Sequence, residues 1–178
     1  MKSNKNIILV ILIVLILSIL LNFYLLTYDI FSKVKPVNNI VNEGNISDVL
    51  SLDGFVEIGI NVSGQQVILI DNCTIIAATT TDQQAYSIER ALTNRFDIRP
   101  TTHDLMKNIF ENFGIEILRV KIVEMHDGNY FADFILKQGN KILNLDAKPT
   151  DGIAVALRMN VPIYIKKELM DNYGQNVC

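Results

Sequence analysis

The stretch GFVEIGINV, residues 54–62, does most to limit what this chain can fold into. Val56, Ile58, Ile60 and Val62 alternate with Glu57, Gly59 and Asn61, the period-two pattern of a strand with one buried face. Ser63-Gly64 turns the chain into QVILI, and Asp71-Asn72 turns it again into CTIIAAT. Helical spacing then predicts helices over Asp82–Thr93 and Thr102–Phe113. After Gly114 the order recurs: EILRVKIVEM, NYFADFILK and KILNLDA read as strands separated by His126-Asp127-Gly128 and Gly139-Asn140. A helix over Asp151–Met159, a short strand VPIYI and a last helix near Lys167–Asn172 complete the pattern. Strand meanders punctuated by helices place the domain in the α+β class, with two halves alike in element order but not residue by residue.

The N-terminal segment has a different character. Ile7 to Leu26 runs without a charge, and about 20 such residues span a bilayer core. The run is too long for a signal-peptide h-region and lacks a small-residue cleavage site, so the expectation is an uncleaved single-pass transmembrane anchor over residues 1–28. Lys2, Lys5 and the terminal amine precede it, which points to a cytoplasmic N-terminus and a domain outside the cytoplasm. Residues 29–53 are polar and asparagine-rich and read as a linker, with a short helical turn at Ser47–Leu50, leaving 54–178 as the folded domain. The chain's 16 basic residues, less Lys2 and Lys5, face 19 acidic ones, so the remainder carries about −5. That argues against a broad electrostatic grip on nucleic acid, which works by neutralising phosphates. Cys73 and Cys178 lack metal spacing, and with Cys178 as the last residue a disulfide between them is not expected.

Helix faces sort the candidate residues. In RPTTHDLM, residues 99–106, Thr101 suits an N-cap with Asp104 three residues on, a capping box with Asp in the usual Glu place. The apolar face Leu105, Met106, Ile109, Phe110 and Phe113 has Thr102 at its middle and His103 at its edge, with Asp104 nearly opposite. The helix start thus explains Thr101 and Asp104 but not Arg99 or His103. One helix earlier, Asp82 and Glu89 stand about 10 Å apart on one stripe, a spacing that fits a solvated edge better than a shared metal. In TDGIAVALRM, Asp151 and Arg158 share a stripe on a helix that is otherwise apolar. They either serve the helix dipole or have a purpose in a site. Asp146 and Lys148 lie just before that helix. His126, in a hairpin turn, is explained by exposure.

TDQQAYSIERAL, RPTTHDLM, DGNYFADFIL and LDAKPTDGIAVALRMNVPIYI together resemble the bifunctional nuclease (BFN) domain family, in order and spacing, from about Val56 to Ile165. The resemblance implies two β3-α repeats forming a barrel-like mixed sheet with packed helices, homo-oligomers, and cleavage of both RNA and DNA. Family positions fall on Arg99, Pro100, Thr102, His103 and Asp104, and on Asp146 through Arg158. Departures are Lys148 for Arg, Thr150 for Ser, Gly152 for Ala, and Asn129-Tyr130-Phe131 for Thr-Phe-Tyr. Many members also carry a glutamate where Gln84 stands. The resulting expectation is a membrane-anchored, metal-assisted nuclease using Mg²⁺ or Mn²⁺. His103, Asp104 and Asp151 would be catalytic. Arg99, Arg158 and Lys148 would bind substrate, and Asp146 and Asp151 would hold metal. The rival expectation is a non-catalytic oligomeric domain that binds a ligand or protein, its polar residues fixing helix ends.

Overall fold

The computed structural model describes residues 12–25, 39–40, 46–95 and 97–178. The chain divides into two compact units, Met1–Val37 and Asn38–Cys178. In the first, residues 12–25 form an exposed helix, α1. No helix among the described residues is long and apolar enough to cross a membrane, so the predicted transmembrane anchor is not supported. Residues 7–11 and 26 of the predicted span lie outside the described residues.

The second unit is built on two sheets. Its elements are β1 (Asn39–Ile40), α2 (Ile46–Leu50), β2 (Phe55–Glu57), β3 (Gly59–Ser63), β4 (Gln66–Asp71), β5 (Thr74–Thr79), α3 (Asp82–Leu92) and α4 (Thr102–Phe113). They continue as β6 (Glu116–His126), β7 (Asn129–Gln138), β8 (Lys141–Ala147), α5 (Pro149–Arg158), β9 (Ile163–Lys166), α6 (Lys167–Tyr173) and β10 (Gln175–Asn176). The large sheet has the order β1-β8-β7-β6-β9-β2 and the small one β10-β5-β4-β3. Every pairing is antiparallel except β6 with β9. The α+β class therefore stands, with a β3-β4-β5 meander in one sheet and a β6-β7-β8 meander in the other. The expected barrel does not form among the described residues, because these meanders belong to separate open sheets.

The 54–62 stretch shows why. It is not one strand but two: β2 pairs with β9 in the large sheet, and β3 pairs with β4 in the small one. The switch falls at Ile58, buried at 7% exposure, whose N–H donates to the Ile163 carbonyl at 2.9 Å. Alternation survives the switch because both segments bury the same side of the ribbon. The β6–β7 hairpin closes over Asp127 (φ 50°) and Gly128 (φ 77°), the paired left-handed residues of a two-residue turn that matches strand twist.

Within residues 29–53, α2 carries the expected helical turn. Its last carbonyls are satisfied from β6: Lys121 Nζ donates to Val49 O at 2.9 Å and to Ser51 O at 3.3 Å, and Arg119 donates to Leu50 O. Lys121 is only 4% exposed and lies over the Phe55 ring at 4.7 Å; burial pushes its ammonium below the usual lysine range. Cationic donors at a helix C-terminus suit both the open carbonyls and the dipole.

The core lies where the large sheet meets the helices. Ile153, Ala154, Val155 and Ala156 of α5 are all buried, along with Val120, Ile122 and Phe134 from the sheet. α5 starts at Pro149 rather than Asp151, with Lys148 as its N-cap and proline at the head of the helix, where no amide hydrogen is required. Thr150 is thus inside the helix. At the C-terminus, β10 pairs with β5 (Gln175↔Ile75, Asn176↔Thr74), and Cys73 is bonded to Cys178. The expectation that these cysteines stay apart is corrected by that pairing, which brings the last residue back to the β4–β5 turn.

Candidate functional site

Three helices supply the site. α3 begins at a capping box in which Thr81 accepts from the Gln84 amide and the Gln84 side chain accepts from the Thr81 amide. α4 begins at the predicted box: Thr101 N donates to Asp104 Oδ2 at 2.8 Å, and the Asp104 amide donates back to Thr101 Oγ1 at 3.4 Å. It ends at Gly114 in the left-handed conformation (φ 63°), as helix C-termini commonly do. Both first turns are therefore set locally.

The orientation of α4 is not what its apolar stripe implies. Leu105, Ile109 and Phe113 are exposed (55%, 42% and 68%), and Thr102 is exposed with them. The helix is rotated so that one edge of that stripe, Met106 and Phe110, turns inward together with His103 and Asp104. The cause is Arg158 of α5. Its Nε donates to Asp104 Oδ1 at 2.6 Å, and another guanidinium nitrogen donates to the Ser87 and Ala154 carbonyls at 3.0 and 2.8 Å. The Arg158 side chain is 6% exposed and that of Asp104 14%. Removing one partner of such a pair leaves an uncompensated buried charge, which costs about 3–5 kcal/mol, so the pair fixes the rotation of α4. Burial works against the Asp104 charge, but hydrogen bonds from Arg158 and Thr101 outweigh it and hold the carboxyl at about 2.

Beside this pair sits a polar chain. Ser87 Oγ of α3, in a residue only 6% exposed, lies 2.8 Å from His103 Nδ1; His103 Nε2 lies 3.4 Å from Asp151 Oδ1 of α5. Burial pushes the imidazole below its usual range, with the Asp151 charge pulling the other way and Arg158 adding to the depression. The ring is then neutral near pH 7. With Nδ1 accepting from the serine hydroxyl, its proton sits on Nε2 and faces the carboxylate. Ser87 was not among the residues singled out from the sequence; the one available signal was a small polar residue beside the Ala85–Ile88 core stripe. Ser87 and His103 open onto a cleft of about 490 Å³ that is also lined by Tyr86, Gln84 and Thr102.

His103, Asp104, Asp151 and Arg158 therefore meet. Arg99, Asp146 and Lys148 do not join them: Arg99 is exposed on the loop before α4, while Asp146 and Lys148 line a separate concavity. Asp97 anchors that loop, accepting from Tyr86 Oη at 2.7 Å and from Arg90. Asp82 accepts from Gln65 Nε2 at 3.0 Å and Glu89 is exposed, so these two form the solvated edge expected of them. His126 is likewise exposed, 3.3 Å from Glu124. Among the described residues no group of three or more His, Cys, Asp or Glu side chains is set to hold a metal ion. Asp104 has both oxygens engaged, which leaves Asp151, with its side chain 45% exposed, as the open carboxylate of the cluster.

Fold and site together describe an α+β domain with a histidine-centred polar cluster between three helices. Residues 68–177, more than half of the chain, match the bifunctional nuclease domain, and the chain belongs to that family. An uncharacterized protein of Mycobacterium tuberculosis is 36% identical over 76 residues, covering 43% of this chain and 44% of that one. Bifunctional nuclease 1 of Oryza sativa subsp. japonica is 37% identical over 82 residues, covering 44% of this chain and 25% of that protein. Bifunctional nuclease 1 of Arabidopsis thaliana is 32% identical over 90 residues, covering 49% and 28%. The similarity thus spans less than half the length of these curated relatives.

Proposed function

We infer that the protein is a nuclease that hydrolyses phosphodiester bonds of RNA or DNA, with His103 as its general base. The observation that carries this reading is the meeting of RPTTHDLM and PTDGIAVALR at His103, held between Ser87 and Asp151 at a cleft. A neutral imidazole near pH 7 can accept a proton. His103 Nδ1 takes the Ser87 hydroxyl proton as Ser87 Oγ takes that of the attacking hydroxyl, either water or an RNA 2′-hydroxyl. That oxygen bonds to phosphorus as the bond to the leaving oxygen breaks, and Asp151 steadies the imidazolium formed. Arg158 is spent on Asp104 and two carbonyls, so its role is to position α4. Exposed Arg99 and Lys148 are the cations that remain to meet phosphate. A Mg²⁺ or Mn²⁺ ion arriving with substrate would find Asp151 open to it and would neutralise phosphate charge; Asp146 lines the other concavity.

The test is cleavage of labelled RNA and DNA by the full chain with Mg²⁺, Mn²⁺ or chelator, beside His103→Gln. The substitution should cut the rate at least about 100-fold. Activity that co-purifies but survives it belongs to a contaminant and removes the assignment. The second reading, a non-catalytic oligomeric binding domain, has one observation in its favour: the Asp104–Arg158 pair is fully accounted for by helix packing. Absence of cleavage under every ion condition would support it. The outward stripe Leu105, Ile109 and Phe113 supports self-association in either case. The Cys73–Cys178 disulfide supports an oxidising compartment, in keeping with a domain outside the cytoplasm.

A further inference from the structure

A second concavity, of about 1080 Å³, opens between the small sheet and the tip of the β6–β7 hairpin. Its two sides differ in kind. β5 contributes small side chains, Ala77, Ala78 and Thr79, while the large sheet contributes the rings of Tyr130 and Phe131. Exposed Asp146 and Lys148 stand where β8 leads into α5. Gln84 lines this groove and the His103 cleft alike, so the two spaces meet at one side chain. Its Oε1 accepts from Thr80 Oγ1 at 2.6 Å, Thr81 Oγ1 at 3.1 Å and Thr81 N at 3.4 Å. With the carbonyl end so occupied, the Gln84 amide NH₂, unpartnered among the described residues, is left to donate into the open space. A glutamate at this position would present no such donor and would repel phosphate.

An aromatic ring from each face of β7, Tyr130 and Phe131, with one exposed cation and a wall of small side chains, suits unstacked bases and a thinly contacted backbone. A duplex hides the base faces such rings would take, and the negative charge of the domain disfavours capture through the backbone alone. We propose that this groove binds a single-stranded segment of RNA or DNA and leads it past Gln84 to His103. The proposal rests on the nuclease reading for what happens at the end of that path. Asp146, at the groove's edge, is then a charge that weakens binding, and Lys148 one that strengthens it.

The experiment is fluorescence anisotropy of the full chain with a labelled single strand of about 12 nucleotides, and with the matching duplex, in chelator. The single strand should bind at least about tenfold more tightly than the duplex, and Tyr130→Ala should weaken it by about tenfold. Lys148→Ala should weaken it by about fivefold and lower its salt dependence. Asp146→Asn should tighten it, a gain that unfolding cannot imitate. His103→Gln should leave binding intact while cleavage is lost. Duplex preference, or single-strand binding unmoved by all three groove variants, overturns the proposal, and cleavage lost in His103→Gln would still leave the nuclease reading standing. Groove-dependent binding by a chain that never cleaves supports the groove and removes the nuclease reading.

Discussion

His103 and Asp104 are adjacent, yet burial acts on them with opposite results. For the histidine nothing fully repays the lost solvation, and the ring gives up its proton below the usual range. For the aspartate, donors from Thr101 and Arg158 repay it and more. A carboxyl at about 2 in the folded chain and about 3.9 in the unfolded one stabilises the fold above pH 4, and that contribution is lost as pH falls towards 2. The size is about 2–3 kcal/mol by linkage. Urea unfolding between pH 5 and pH 2.5 should therefore show a steeper acid loss for the native chain than for Asp104→Asn, which starts lower. Parallel curves would mean that the pair carries no such weight. The Thr101–Asp104 box was legible in the sequence because it is complete within four residues. The pairing of Arg158 with Asp104, 54 residues apart, and of Ser87 with His103, 16 residues apart, was not, because only tertiary packing selects these partners.

The elements repeat that division between local and distant causes. Capping residues and hairpin turns gave the ends of α3 and α4 closely. The face of α4 was misjudged because an apolar stripe shows which side prefers burial, not which side the neighbouring helix claims. Here a buried ion pair decided: Met106 and Phe110 turned inward, while Leu105, Ile109 and Phe113 were left outside. α6 and β10 show a steric cause of the same distant kind. Gly174 joins them with an ordinary φ of −76°, but a Cβ there would stand 2.3 Å from the Met170 carbonyl oxygen and 2.3 Å from Thr74 Cγ2. Neither can yield without moving the α6 C-terminus away from β5. Gly174→Ala should cost about 2 kcal/mol or more, read as a lower urea midpoint with an unchanged m-value. An unshifted midpoint would show that the junction relaxes freely.

At the scale of the molecule, the sequence conveyed the two meanders and the order of the halves, but not the short strands β1 and β10 or the sheet to which each strand belongs. One alternating stretch feeds both sheets through Ile58, a choice made by its partners, β9 and β4. The same long-range pairing, β10 on β5, joins cysteines 105 residues apart that no local signal connects. What the two sheets accomplish together is to set α3, α4 and α5 so that Ser87, His103 and Asp151 fall in line. The most direct test of that arrangement is the pH dependence of kcat/KM for single-strand cleavage, measured for the native chain and for Asp151→Asn. Because the ring is buried, the native acid limb should lie below the ordinary histidine value of about 6.5. Because the Asp151 charge supports the protonated ring, its removal should move the limb to still lower pH, whatever it does to the maximum rate. A limb that stays in place when Asp151 is neutralised would contradict His103 as the base.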